Sequence, residues 1–115
     1  MWLAFNDAFV SVVQDKRRPE MLMVRARKRK HLKNVVGDLA EIVETPMRDY
    51  RWRAFVTRKQ MSTILAARFQ TLDYGNFKDS VEEHDLHEMY MKWWFDHNQM
   101  QRKDRDAEAR SANEG

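Results

Sequence analysis

Residues Met21 to Gly37 read MLMVRARKRKHLKNVVG, and two periodicities meet inside them. From Met21 to Arg27 the side chains alternate, with Leu22, Val24 and Ala26 on one side and Met23, Arg25 and Arg27 on the other, which predicts a strand with a basic face. From Arg29 to Val36 the apolar residues Leu32, Val35 and Val36 recur at i, i+3 and i+4, and Gly37 stands where a helix would stop. A strand running into a short helix predicts a mixed fold. The cationic first turn of that helix opposes the helix dipole, a local cost that is easier to understand if those charges have another task.

Working outward, Trp2 to Phe5 and Ala8 to Val13 are aromatic or β-branched runs flanking Asn6-Asp7, which predicts an opening hairpin. Lys16 to Glu20, with Pro19, reads as a charged connector. After the short helix, Glu41 to Glu44 is a candidate strand that Thr45-Pro46 interrupts. Tyr50 to Val56 then alternates Trp52, Ala54 and Val56 against Arg51, Arg53 and Phe55, which predicts a second hairpin. Thr57-Arg58-Lys59-Gln60 has the form of a capping box. The helix it opens carries Met61, Ile64, Leu65, Phe69 and Leu72 on one face, expected to meet the core. Asp73 to Asp79 (DYGNFKD) reads as a loop, and Ser80-Val81-Glu82-Glu83 as a second capping box. It opens a terminal helix on which Leu86, Met89, Tyr90, Trp93, Trp94, His97 and Met100 keep helical spacing. From Gln101 the apolar periodicity is lost.

The expected architecture is α+β, a mostly antiparallel sheet of about five strands (β-β-β-α-β-β-α-α) covered by helices on one face. A single domain is expected over residues 1–100, with 101–115 a frayed, disordered polar tail. At 115 residues and 43% hydrophobic content the chain has the composition of one ordered domain with one modest core. It has no cysteine, so disulfides, thiolate metal sites and cysteine nucleophiles are excluded. No apolar run is long enough to cross a membrane and no signal-peptide pattern opens the chain, so the expectation is a cytoplasmic protein without a membrane partner. No motif calls for a cofactor.

Charge is the strongest functional signal. Lys16 to Asn34 holds nine of the 21 Lys/Arg residues and one of the 18 Asp/Glu, Glu20, so a net charge of +3 conceals a basic segment inside an acidic remainder. Such asymmetry points to a polyanionic partner, a nucleic acid or a nucleoprotein complex. The candidate contact residues are Arg25, Arg27, Lys28, Arg29, Lys30 and Lys33, extended by Arg51 and Arg53 if the two strands are neighbours. The competing reading is a solvated surface whose cations pair with acids elsewhere, and an acidic protein surface is a further use for a basic face. Trp52 and Phe55 are either core or stacking surfaces for unpaired bases.

Three quieter features compete with the basic segment. His84 and His87 share a helix face with Asp85 off to the side, but a metal site would need a third ligand. The loop from Tyr74 to Ser80 could hold an anion on its backbone N–H groups with Lys78 and Ser80, or Ser80 could simply cap the helix. Met91, Trp94 and Phe95 are candidates for a partner-binding patch.

The stretches MWLAFNDAFVSVV, LMVRARKRKHL, ETPMRDYRWRAFV, LDYGNFKDSV and HDLHEMYMKWW together resemble a family of small bacterial and phage proteins with no established activity, over about residues 1 to 95. The resemblance marks Asn6, Arg25, Tyr50, Arg53, Asn76, Phe77, Lys78, Ser80, His87 and Tyr90 as the matching positions. Here the RKRKHLK stretch is richer in cations than the family pattern, and the tail is an addition to it. The resulting expectation is a small accessory protein that binds nucleic acid or a nucleoprotein complex. The alternatives are a protein-interaction module or inhibitor of a host complex, and a small enzyme with a site around Lys78, His87 and Tyr90, with Asn6 nearby.

Overall fold

A computed structural model describes residues 1–114. Five strands form one antiparallel sheet: β1 (Trp2–Phe5), β2 (Ala8–Gln14), β3 (Met21–Ala26), β4 (Val43–Glu44) and β5 (Trp52–Thr57), in the spatial order β1-β2-β3-β5-β4. The helices are α1 (Arg29–Val36), α2 (Arg58–Gln70), the single turn α3 (Phe77–Ser80) and α4 (His84–Glu114). The fold is α+β, as the alternation of strand and helix patterns predicts, with α3 as an additional turn inside the expected loop.

Pairing across the sheet fixes which side chains share a face. Val12, Val24 and Ala54 stand in one row across β2, β3 and β5, and Ser11, Arg25 and Arg53 stand in another on the opposite face. Alternation along each strand does the rest. The first face carries Val10, Val12, Val24, Ala26, Ala54 and Val56, covered by Leu32, Val35 and Val36 of α1 and Met61 of α2. Trp52 packs against this cluster as well. Gly37 ends α1 at φ +57°, and its N–H reaches the Lys33 carbonyl at 2.9 Å. At α2 the capping box forms in both directions, Gln60 N–H to Thr57 Oγ1 at 3.0 Å and Thr57 N–H to Gln60 Oε1 at 2.8 Å.

The expectation of one covered face describes α1 and α2, while α4 adds cover on the opposite face. A second core there joins Phe9, Tyr50, Val81, Leu86 and Tyr90, with Phe77, Met89 and Trp93 packed against it. Trp93 lies 5.1 Å from Phe9 and 6.0 Å from Trp2, ring centre to ring centre, and Tyr90 lies 5.0 Å from Phe77. Aromatic pairs at such distances add attraction beyond the area they bury. The aromatic spacing of α4 therefore serves the far side of the β1–β2 hairpin.

Three local expectations are corrected. Phe69 and Leu72 do not reach the core and are exposed, because at this end of α2 it is Arg68, stacked on the Phe5 ring and bonded to Asp7, that faces the β1–β2 hairpin. Ser80 does not cap α4: it ends α3 and donates to the Phe77 carbonyl at 2.6 Å, while Asn76 caps α3 by accepting from Asp79 N–H at 3.1 Å. The helix expected to fray at Gln101 continues to Glu114, fully exposed. That stretch is rich in Arg, Ala and Glu, all strong helix formers, and Arg102, Asp106 and Arg110 follow at four-residue intervals that favour pairing along a helix.

Candidate functional site

The second face of the sheet is covered by α4 over β1 and β2 and left open over β3 and β5. The open part is a groove of about 1030 Å³. Val13, Met23, Phe55, Arg25 and Arg53 form its floor, the β2–β3 turn from Asp15 to Arg18 one wall, and Thr45 and Arg48 of the β4–β5 turn the other. Its lining includes six cations, Lys16, Arg17, Arg18, Arg25, Arg48 and Arg53, against the single acid Asp15. Asp15 is already engaged, since Arg18 Nε donates to its carboxylate at 3.0 Å and that bond holds the carboxyl below its usual range.

Arg25 and Arg53 are direct partners in the β3–β5 register. Like charges so placed repel across the ladder. Around them, Arg25 donates to Ser11 Oγ at 2.8 Å and stacks on the buried Tyr50 ring at 4.6 Å, but its Nε is buried with no partner among the described residues. Arg53 donates to Thr45 Oγ1 at 3.2 Å and contacts Met23 Sδ. Burial, together with the positive charges of Arg25 and Arg48, disfavours the Arg53 cation, and Asp49 offsets this only in part.

The remaining cations of the basic run do not join this floor. Arg27 stacks on Tyr50 and pairs with Asp49 at 3.3 Å. Lys28 pairs with Glu83 and Asp85, Lys30 with Glu83 at 3.3 Å, Lys33 with Asp38, and Arg51 with Glu44 at 2.7 Å. Arg29 is exposed at the start of α1. The run thus divides where strand becomes helix. Arg25 faces the groove, while Lys28 and Lys30 hold the start of α4.

That anchoring centres on His31, which is buried in α1. The β3 chain leaves the sheet after Ala26, and His31 Nδ1 accepts the Phe9 N–H at 3.4 Å. With Nδ1 accepting, Nε2 carries the proton and donates to Glu83 Oε2 at 2.7 Å. Burial pushes the Glu83 carboxyl up, but the bonds from Lys28, His31 and Lys30 outweigh it and bring its pKa down to about 2.

The positions marked by the family resemblance are dispersed. Asn76, Lys78 and Tyr90 line one cleft beside Trp93, Trp94 and His97, whereas Asn6 and Ser80 line another with Lys30 and Glu83. Lys78 Nζ lies 4.7 Å over the Trp94 ring. The Tyr90 hydroxyl donates to the carbonyls of Phe5 at 2.9 Å and Ala8 at 3.1 Å, and burial pushes its pKa far above the usual value. His87, half-buried on α4, lines neither cleft. Tyr90 is therefore a brace on the hairpin turn rather than a proton carrier, and Lys78, His87, Tyr90 and Asn6 do not converge. Among the described residues no three His, Cys, Asp or Glu side chains are grouped to hold a metal, and His84, Asp85 and His87 gain no third ligand.

Arg17, Arg18, Arg48 and Lys16 are groove residues that strand alternation did not single out, because each comes from a turn. The signal available was the cationic end of the β2–β3 connector. No protein family, curated protein or solved structure matches this chain. Within the described residues no helix is long and apolar enough to cross a membrane.

Proposed function

We propose that the protein binds nucleic acid, free or within a nucleoprotein complex, by taking its phosphate backbone into the groove over β3 and β5. The observation that carries this reading is Arg25 set directly opposite Arg53 on the groove floor. A same-sign pair there costs stability, and the lining acid is spent on Arg18. A phosphate would supply the missing negative charge and accept from guanidinium groups. Lys16, Arg17 and Arg48, exposed around the floor, extend the attraction outward. The role is that of a small accessory binding protein.

Anisotropy of fluorescein-labelled RNA and DNA oligonucleotides at low salt tests this. Binding is expected to weaken as salt rises, with a log–log slope of roughly 0.7–0.9 per phosphate contacted. The double variant Arg48→Gln/Arg53→Gln should lose roughly tenfold in affinity and show a shallower slope, whereas Lys33→Gln should change little. Undiminished binding by the double variant, or no binding to any oligonucleotide at low salt, overturns the proposal.

One observation favours a second reading, a protein-interaction module or inhibitor. Met91, Trp94 and Phe95 form an exposed stripe on α4, away from the groove. A partner that survives nuclease treatment and is lost on Phe95→Ser would favour it.

A further inference from the structure

Resting on the nucleic-acid reading above, we infer that the groove takes a single strand, with one unpaired base stacked on the Phe55 ring. Two parallel rows make up the groove floor. Ser11, Arg25 and Arg53 form a polar row across β2, β3 and β5, and Val13, Met23 and Phe55 form an apolar row two residues along the same strands. Two residues of strand span about 7 Å. That is the scale of the step from a phosphate to the base it carries, so a phosphate on Arg25 and Arg53 brings its base over Phe55.

The ring is already used as a stacking platform, since the Arg18 guanidinium lies over it at 5.0 Å. Arg18 comes from an exposed turn and is held there by Asp15, so a planar base can enter beside it or displace it. Bases stack on aromatic faces whatever their identity, so binding should tolerate sequence changes. A duplex keeps its bases paired and stacked inside, out of reach of the Phe55 ring. A flexible single strand can follow an open groove of about 1030 Å³ down to its floor.

The experiment compares fluorescein-labelled oligo-dT, a DNA duplex of equal length and inorganic polyphosphate as competitor, using the full chain and Phe55→Leu. Expected are preference for oligo-dT over duplex and a roughly tenfold loss for oligo-dT in Phe55→Leu, with polyphosphate competition unchanged. Preference for duplex, or equal oligo-dT binding by Phe55→Leu, overturns the single-strand inference while the salt-dependent groove reading stands. Failure of every nucleic acid to bind removes both. Ultraviolet crosslinking of an oligonucleotide carrying 5-iodouracil to the unaltered protein gives an independent readout. Adducts are expected on Phe55 or the Arg18 turn, and adducts found only elsewhere overturn the inference even if Phe55→Leu does not fold.

Discussion

His31 Nε2 donates to Glu83 Oε2 at 2.7 Å, which helps tie the helix on the first face of the sheet to the residue just before the helix that closes the second. His31 holds Phe9 N–H with its other nitrogen, so the ring is fixed from both sides. Lys28 and Lys30 converge on the same carboxylate.

Removing that charge should loosen the attachment of α4. Glu83→Gln keeps the shape of the side chain but leaves two lysines without their shared anion, so a loss of about 2–4 kcal/mol is expected. Thermal denaturation followed by circular dichroism should show a melting temperature lower by about 8 °C or more. A shift under 2 °C would mean the cluster contributes no stability.

Acid should mimic that substitution. The Glu83 carboxyl titrates at about 2 in the folded chain against 4.5 ordinarily, so it binds protons less readily when folded. Its contribution is present above about pH 4.5 and is lost as pH falls toward 2, on the order of 3 kcal/mol. Urea titrations across that range should show the wild-type midpoint falling more steeply than that of Glu83→Gln. Parallel curves would contradict the assignment.

Tyr90→Phe removes the donor to the Phe5 and Ala8 carbonyls while keeping the ring in its cluster. The expected loss is about 1–2 kcal/mol by urea denaturation, with oligonucleotide binding unchanged. In alkaline titration the Tyr90 proton should remain until the chain unfolds, since burial raises the pKa in the folded state. The stability it contributes is present below about pH 10 and lost as pH rises above that.

Gly37→Ala tests the turn after α1. A Cβ there meets nothing within 4 Å, so the cost comes from the backbone at φ +57° and ψ −127° alone. A loss of about 1–3 kcal/mol by urea denaturation is expected. A neutral result would place the turn elsewhere.

The fold was readable wherever periodicity was regular. Leu22, Val24 and Ala26 against Met23 and Arg25 identify β3 and both of its faces, and Leu32, Val35, Val36 and Gly37 identify α1 with its end. Such patterns say that a face is buried without saying by what, which is why Trp93 reads as core while its contact with Trp2, on the strand at the opposite end of the chain, does not. The candidate site was half legible. Arg25 and Arg53 follow from alternation, but Lys28 and Lys30 carry the same charge in sequence and differ only in meeting Glu83, more than 50 residues away. Alternation places Trp52 and Phe55 on opposite faces, but it does not say which face the helices leave open.

The contact between Trp93 and Trp2 also orders events during synthesis. The first core is complete in sequence once Leu65 has been made, so the sheet and its first helical layer have all their parts while the rest of the chain is still to come. The Trp2 and Phe9 side of the hairpin takes its cover from later residues, Tyr50, Val81, Leu86 and Tyr90 over Phe9 and finally Trp93 over both rings. A nascent chain stalled before Trp93 has left the ribosome therefore presents open aromatic surface on that side of the hairpin.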